Sequence, residues 1–291
     1  MKTAPALGQQ QRVGPPRVDG ATLATGGLVV VVAGLAWLGL AHPTSWMAAS
    51  GTAGVLAGAT PYLLAWGVMM AAMMLPSAAP TIALYAGMRR NAARAGNRGA
   101  GGVLFASVYV ALWLAFGLPV YAIERTVAAA ATGSHQVASL LPYGAALTLA
   151  AAGVYQFTPL KKACLTVCQH PFAFLLARWR DGYLGSLKMA WQHALYCIGC
   201  CWGLMIVLVA AGAMSLPWVL LITAVVLAEK FLPEAPGDWV ARLVGVALVV
   251  AGLAVAIHPQ FVTNVPGMNP SMNPSMYPSM KPNTTMNMNG M

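Results

Sequence analysis

Charge is what this chain has least of. Asp, Glu, Lys and Arg make up 8% of its 291 residues, where soluble domains carry roughly a quarter, so a water-facing globular surface is excluded. Acidic residues are scarcer still, six in all, which leaves little for paired-carboxylate chemistry and disfavours Ca²⁺ and Mg²⁺, ions that need clusters of oxygen ligands. The chain lacks a phosphate loop, a G-x-G-x-x-G turn after a strand, a G-x-S-x-G elbow and an H-E-x-x-H pair. ATP-driven transport within this chain and the common hydrolases therefore have no support. Cysteine is limited to five, an odd number, whose spacing is that of ligands and not of a secreted disulfide framework.

Apolar residues, by contrast, supply 59% of the chain. They fall in blocks near 21–41, 61–88, 102–124, 139–158, 194–214, 216–232 and 239–257. A hydrocarbon core about 30 Å thick takes about 20 residues of helix to cross. The pattern therefore predicts an all-α, polytopic transmembrane bundle of about seven spans, with the lipid bilayer as its solvent. The first block follows Lys2, Arg12 and Arg17 but has no A-x-A cleavage site, and is expected to be retained as a helix rather than removed as a signal peptide. The block at 216–232 is the shortest and ends in Ala228, Glu229 and Lys230, which leaves a re-entrant arrangement open. Three regions follow: a polar N-terminus (1–20), a transmembrane domain (21–258) and a tail (259–291).

The net charge of +10 is explained by topology, and nucleic acid is not an expected partner. Fourteen of the sixteen basic residues fall in the N-terminus, the 89–101 and 159–193 connections and the turn between the last two blocks, leaving Arg125 and Lys281 opposite. Positive residues stay cytoplasmic, so the N-terminus is expected inside and, with seven spans, the C-terminus outside. The tail repeats NPSM, NPSM and YPSM at 269–280. Pro, Asn and Ser cannot build a core, and the tail is expected to be disordered.

The most specific constellation joins CLTVC (Cys164, Cys168), followed by His170, to CIGCC (Cys197, Cys200, Cys201), preceded by His193. Thiolates and imidazoles are the ligands of Cu(I) and Zn, and soft thiolates suit Cu(I). On a helix, His193, Cys197 and Cys201 share a face, Cys200 lies beside Cys197, and Met205 continues the stripe one turn on. The alternative is that cysteine serves as a small apolar filler. On the expected cytoplasmic side thiols stay reduced, which favours free ligands over disulfides.

A second cluster is WGVMMAAMMLPSAAP, in which Met69, Met70, Met73 and Met74 span one helical face. Thioethers there could pass Cu(I) without holding it tightly, or simply pack. Pro76 frees the carbonyl of Ala72 and Pro80 that of Pro76, a break tolerated at this depth only where the backbone is buried or lines a cavity. Gln156, Glu229 and Lys230 are candidate polar support at the cytoplasmic level of the cysteines, since ionisable groups in spanning segments default to function; interfacial anchoring is the alternative for the last two. In the tail, Met268, Met272, Met276, Met280, Met286, Met288 and Met291 could fold around a copper ion or form a neutral spacer.

As a set, WGVMMAAMMLPSAAP, YQFTPLKKACLTVCQHP, LYCIGCCWGLMIVLVAAGAM and AEKFLP resemble, in this order, the signature of a bacterial family of predicted metal-binding integral membrane proteins, a domain of unknown function. The resemblance covers about 60–257. It implies a multi-helix protein of the bacterial cytoplasmic (inner) membrane whose Cys-rich motifs bind metal. The pattern would carry Arg in place of His170, so the ligand set is drawn without it, and the tail lies outside the pattern.

The expected function is binding of copper, as Cu(I), through Met and Cys, and its movement or delivery; zinc or no metal are the alternatives. The expected relay runs from tail methionines outside, through Met69 to Met74 and Met205 near the midplane, to the five cysteines at the cytoplasmic side. Two other functions stay open. One is an accessory subunit that assembles, or supplies copper to, a larger membrane metalloenzyme complex. The other is a membrane thiol oxidoreductase using CIGCC, for which an apolar helix is a poor setting. No catalytic residue is assigned.

Overall fold

The computed structural model describes residues 20–41, 55–94, 96, 101–210, 216–232 and 239–259. The expected polar N-terminus before residue 20 and the methionine tail beyond 259 lie outside the described residues. Among the described residues every regular element is a helix: α1 (Gly20–Ala41), α2 (Val55–Arg94), α3 (Gly102–Gly133), α4 (His135–Tyr155), α5 (Pro159–Gln169), α6 (Pro171–Arg178), α7 (Gly182–Ala210), α8 (Leu216–Phe231) and α9 (Trp239–Ile257). A chain this apolar has to satisfy its backbone internally, and helices do so within each segment.

Six helices, α1 to α4, α7 and α9, are long and apolar enough to cross a membrane. The sixth expected span forms α8, which has 16 residues, about 24 Å of helix against a core of about 30 Å. Boundaries differ most around the expected 159–193 connection. Part of it forms α5 and α6, and α7 begins at Gly182, twelve residues before the apolar block at 194. Lys188, Gln192 and His193 lower the hydropathy there without breaking the helix, because Ser186, Met189, Ala190 and His193 face inward. Thr158 caps α5, its Oγ1 accepting from the Lys161 amide at 3.3 Å, with Pro159 at the first position.

The bundle is centred on α2 and α7, whose spanning windows are 61% and 56% buried, against 11% for α1 and 17% for both α4 and α9. Helix α1 lies antiparallel along α2, with Gly26 beside Ala83 and Gly39 beside Val68. Here the Trp37 indole donates to the Ala72 carbonyl at 3.0 Å, the acceptor that Pro76 leaves without its helical partner. Helix α9 is antiparallel to α4 on a seam of small residues. A Cβ on Gly153 would stand 2.8 Å from the Gly245 carbonyl, and one on Gly252 2.8 Å from that of Ala146, so backbones approach in a way that only glycine permits.

The charges counted as topological are not all at a surface. Arg89, Lys161 and Lys230 are 4%, 1% and 6% exposed. Arg89, at the end of α2, meets Asp181 at 3.4 Å and lies over the Trp179 ring, fastening the α6–α7 elbow to α2. Setting the three aside leaves eleven basic residues against two, so the bias that motivates the orientation persists.

Candidate metal centre

Cys197, Cys200 and Cys201 sit on one turn of α7, and their sulfurs all lie within 4.8 Å of one another. Among the described residues this is the group of three or more His, Cys, Asp or Glu side chains placed to hold a metal ion. The spacing follows from residues three and four apart on a helix being neighbours. Cys200 Sγ is 3.3 Å from Cys201 Sγ and also donates to the Cys197 carbonyl at 3.2 Å. All three are buried and unbridged.

Helix α5 brings a fourth sulfur, Cys168 Sγ, to 3.8 Å from Cys200 Sγ. Tetrahedral ligation at about 2.3 Å separates sulfurs by about 3.8 Å, so the group needs only small side-chain adjustments to close on an ion. Cys164 points elsewhere. Its Sγ fills the space over Gly199, 2.7 Å from where a Cβ would stand, which is why the middle of CIGCC holds glycine. The Tyr155 hydroxyl donates to the Gly199 carbonyl at 2.5 Å and fixes the same turn of α7 against α4. In α5, burial raises the Cys164 thiol above its usual range, and hydrogen bonding with Cys197 raises that of Cys168. Both shifts favour the thiol over the thiolate, and a metal bound at either sulfur would have to displace the proton.

Cys197 Sγ is bonded from two other helices. The Tyr109 hydroxyl lies 2.9 Å from it and 3.3 Å from the Met74 carbonyl, to which it donates. The Lys230 ammonium donates to Cys197 Sγ at 3.1 Å and to Ser77 Oγ at 2.9 Å, while Ser77 donates to the Met74 carbonyl at 2.9 Å. Cys197 is thereby joined to α2 at the end of its methionine run, through α3 and α8. Met69, Met70, Met73, Met74 and Met205 are at most 1% exposed and belong to the same core, so none of them faces lipid.

Glu229 and Lys230 are both buried, and neither is an interfacial anchor. Glu229 Oε2 accepts from Lys161 at 2.7 Å, and the Glu229 carbonyl accepts from Gln169 at 2.8 Å. Gln156 is buried beside the same carboxylate. Gln156, Glu229 and Lys230 are thus brought close to α5, and Lys230 also reaches Cys197 on α7. His193 is not part of the sulfur group; it lies one turn earlier on α7, its ring among those of Phe105, Tyr109 and Phe174. The tail methionines Met268, Met272, Met276, Met280, Met286, Met288 and Met291 lie outside the described residues.

The sequence did not point to Tyr109, Ser77, Lys161 or Gln169. A tyrosine in the middle of an apolar block, away from the interfacial belt that tyrosines favour, was a usable signal. Lys161 carried none, because Lys162 beside it has the same local context and is exposed.

The donor set fits a soft cation. It offers thiols with thioethers nearby, and an ammonium that compensates thiolate charge, with no carboxylate in the sulfur group. No curated protein and no solved structure matches the chain. A family model described as PpoB2, copper chaperone, matches residues 63–255, from the first turns of α2 to the last turn of α9. This span takes in all four clustered cysteines together with Lys230, Tyr109 and the buried methionines, and the chain belongs to the PpoB2 copper chaperone family.

Proposed function

We propose that this protein is an integral membrane carrier of Cu(I), which Cys197, Cys200 and Cys201 bind with Cys168 as a fourth sulfur. Copper here is cargo. The observation that carries this is the set of three sulfurs within 4.8 Å on one turn of a spanning helix in a family described as a copper chaperone. Thiolates prefer Cu(I), and Lys230 offsets the negative charge that several thiolates around a monovalent ion leave behind. Copper is the better reading than zinc for this donor set, since thioether neighbours are of no use to zinc.

The buried thioethers of Met69, Met70, Met73, Met74 and Met205 would give weaker, neutral ligation next to the thiolates. The tail methionines would add capture on the outer side of a bacterial cytoplasmic membrane, with the N-terminus inside. The family's description favours delivery over uptake, and the acceptor it suits is a membrane metalloenzyme complex for which this chain is the accessory donor.

The test is the copper content of the detergent-purified full-length chain by elemental mass spectrometry, beside C197S/C200S/C201S and a chain ending at Thr263. A clear fall in copper content in the triple variant, with no such fall on truncation, is the expected result. Copper lost only on truncation would transfer the function to the tail, and no copper in any sample would end the proposal.

A further inference from the structure

Helix α7 carries more soft ligands than the sulfur group uses. Met189, His193, Cys197, Cys201 and Met205 follow one another every four residues, and every one is at most 2% exposed. The two at the N-terminal end are unexplained by the thiol site. His193 Nδ1 is buried and has no hydrogen-bond partner, a condition rare enough in a folded protein to require a reason. The ring lies 5.8 Å from Phe105, 5.9 Å from Tyr109 and 5.6 Å from Phe174, centroid to centroid, so three aromatic rings pack around the imidazole. Met189, fully buried, is its neighbour one turn earlier on the same face.

We propose that His193 Nδ1 and the Met189 thioether form a second Cu(I) site, one turn of α7 from the thiols and separate from them. This rests on the Cu(I) reading of the thiol group. Imidazole and thioether are both accepted by Cu(I). Both are neutral, so the ion keeps its positive charge, and aromatic faces are the surroundings that stabilise a desolvated monovalent cation. A hard divalent ion would need several oxygen ligands, whereas the pair offers one imidazole nitrogen and one thioether. Neutral ligands hold Cu(I) more weakly than thiolates do, so the site fills after the thiol group and empties before it, which suits a station on the way to an acceptor. Successive members of the row stand about 6 Å apart along the axis, so an ion moves between sites by exchange of neighbouring ligands along a single helix.

The experiment is titration of the full-length purified chain with Cu(I) against a chromophoric Cu(I) chelator, with copper X-ray absorption recorded at each equivalent. The tail contains no histidine, so nitrogen scattering cannot arise from it. In the wild type the first equivalent should show sulfur alone and a later one should add nitrogen. H193F, which fills the same aromatic enclosure, and M189L, which conserves volume, should each weaken the nitrogen-bearing equivalent about tenfold or more and leave the first unchanged. C197S/C200S/C201S should lose the first and keep the nitrogen-bearing one. Sulfur-only scattering at every loading, or an unaltered later equivalent in M189L, would overturn the second site while leaving the thiol site standing. Absence of the first, sulfur-bound equivalent in the wild type would instead remove the reading on which it rests. Should H193F not fold, M189L decides alone.

Discussion

Cys197 Sγ lies 2.9 Å from the Tyr109 hydroxyl of α3 and accepts from the Lys230 ammonium of α8, and these contacts set which way its sulfur faces. Groups that orient a ligand without touching the metal are typically worth about 10- to 100-fold in affinity. Tyr109→Phe keeps the ring and removes only the hydroxyl, so it should weaken Cu(I) by about tenfold in a chelator competition, with the stoichiometry unchanged. The Lys161–Glu229 pair acts on stability instead. Both side chains are at most 2% exposed, and removing one partner of such a pair costs about 3–5 kcal/mol because the other charge stays buried alone. Lys161→Met should therefore lower the thermal midpoint of the purified protein sharply, and Glu229→Gln added to it should recover most of the loss. An equal loss in the double variant would show that the pair is not what holds α5 against α8. The sequence placed Glu229 and Lys230 as functional polar residues but could not pair them. Side-chain partners drawn from helices 68 residues apart leave no trace in local pattern.

At the scale of the helix, proline and its remedy are separable. Pro76 deprives the Ala72 carbonyl of its amide donor, and the Trp37 indole replaces it from α1. Trp37→Phe should cost about 1–3 kcal/mol, the range for a buried acceptor left without a partner, read as a lower thermal midpoint. In a Pro76→Ala background, where the amide of residue 76 is restored, most of that cost should vanish; an undiminished cost would mean that packing of the indole, not its hydrogen bond, matters. That a carbonyl is freed at Ala72 follows from sequence alone, whereas the identity of the donor does not. The all-helical class was legible because apolar blocks of about 20 residues have few alternatives in lipid, whereas six of the seven expected spans have the length and hydropathy to cross. The start of α7 was not, since hydropathy reports contact with lipid and the first twelve residues of α7 mix inward-facing Met189 and His193 with polar neighbours. For the same reason α5 and α6, amphipathic and short, were hidden in what looked like a connection.

Across the whole molecule, the parity of the crossings turns on α8. If its 16 residues cross the bilayer, the termini lie on opposite sides; if it turns back within the membrane, they lie together. With the N-terminus inside, as proposed from the basic-residue bias, and α8 crossing, a compartment-sensitive reporter fused after residue 259 should be active outside the cytoplasm. Activity inside would make α8 re-entrant and put any copper captured by the tail on the same side as the thiols. The grouping of sulfurs draws on local spacing and on packing in different measure. Spacing along one helix assembles Cys197, Cys200 and Cys201, while the approach of Cys168 to Cys200 and of Cys164 to Gly199 depends on how α5 packs against α7.

Four residues is slightly more than one turn of a helix with 3.6 residues per turn, so each step from Met189 to Met205 advances about 40° around the axis. Over the four steps the row turns by about 160°, nearly half a revolution. The ligands of α7 therefore form a screw thread rather than a straight rail. An ion at Met189 and one at Met205 face different neighbours, and a small rotation of α7 about its own axis would expose one end of the thread while covering the other.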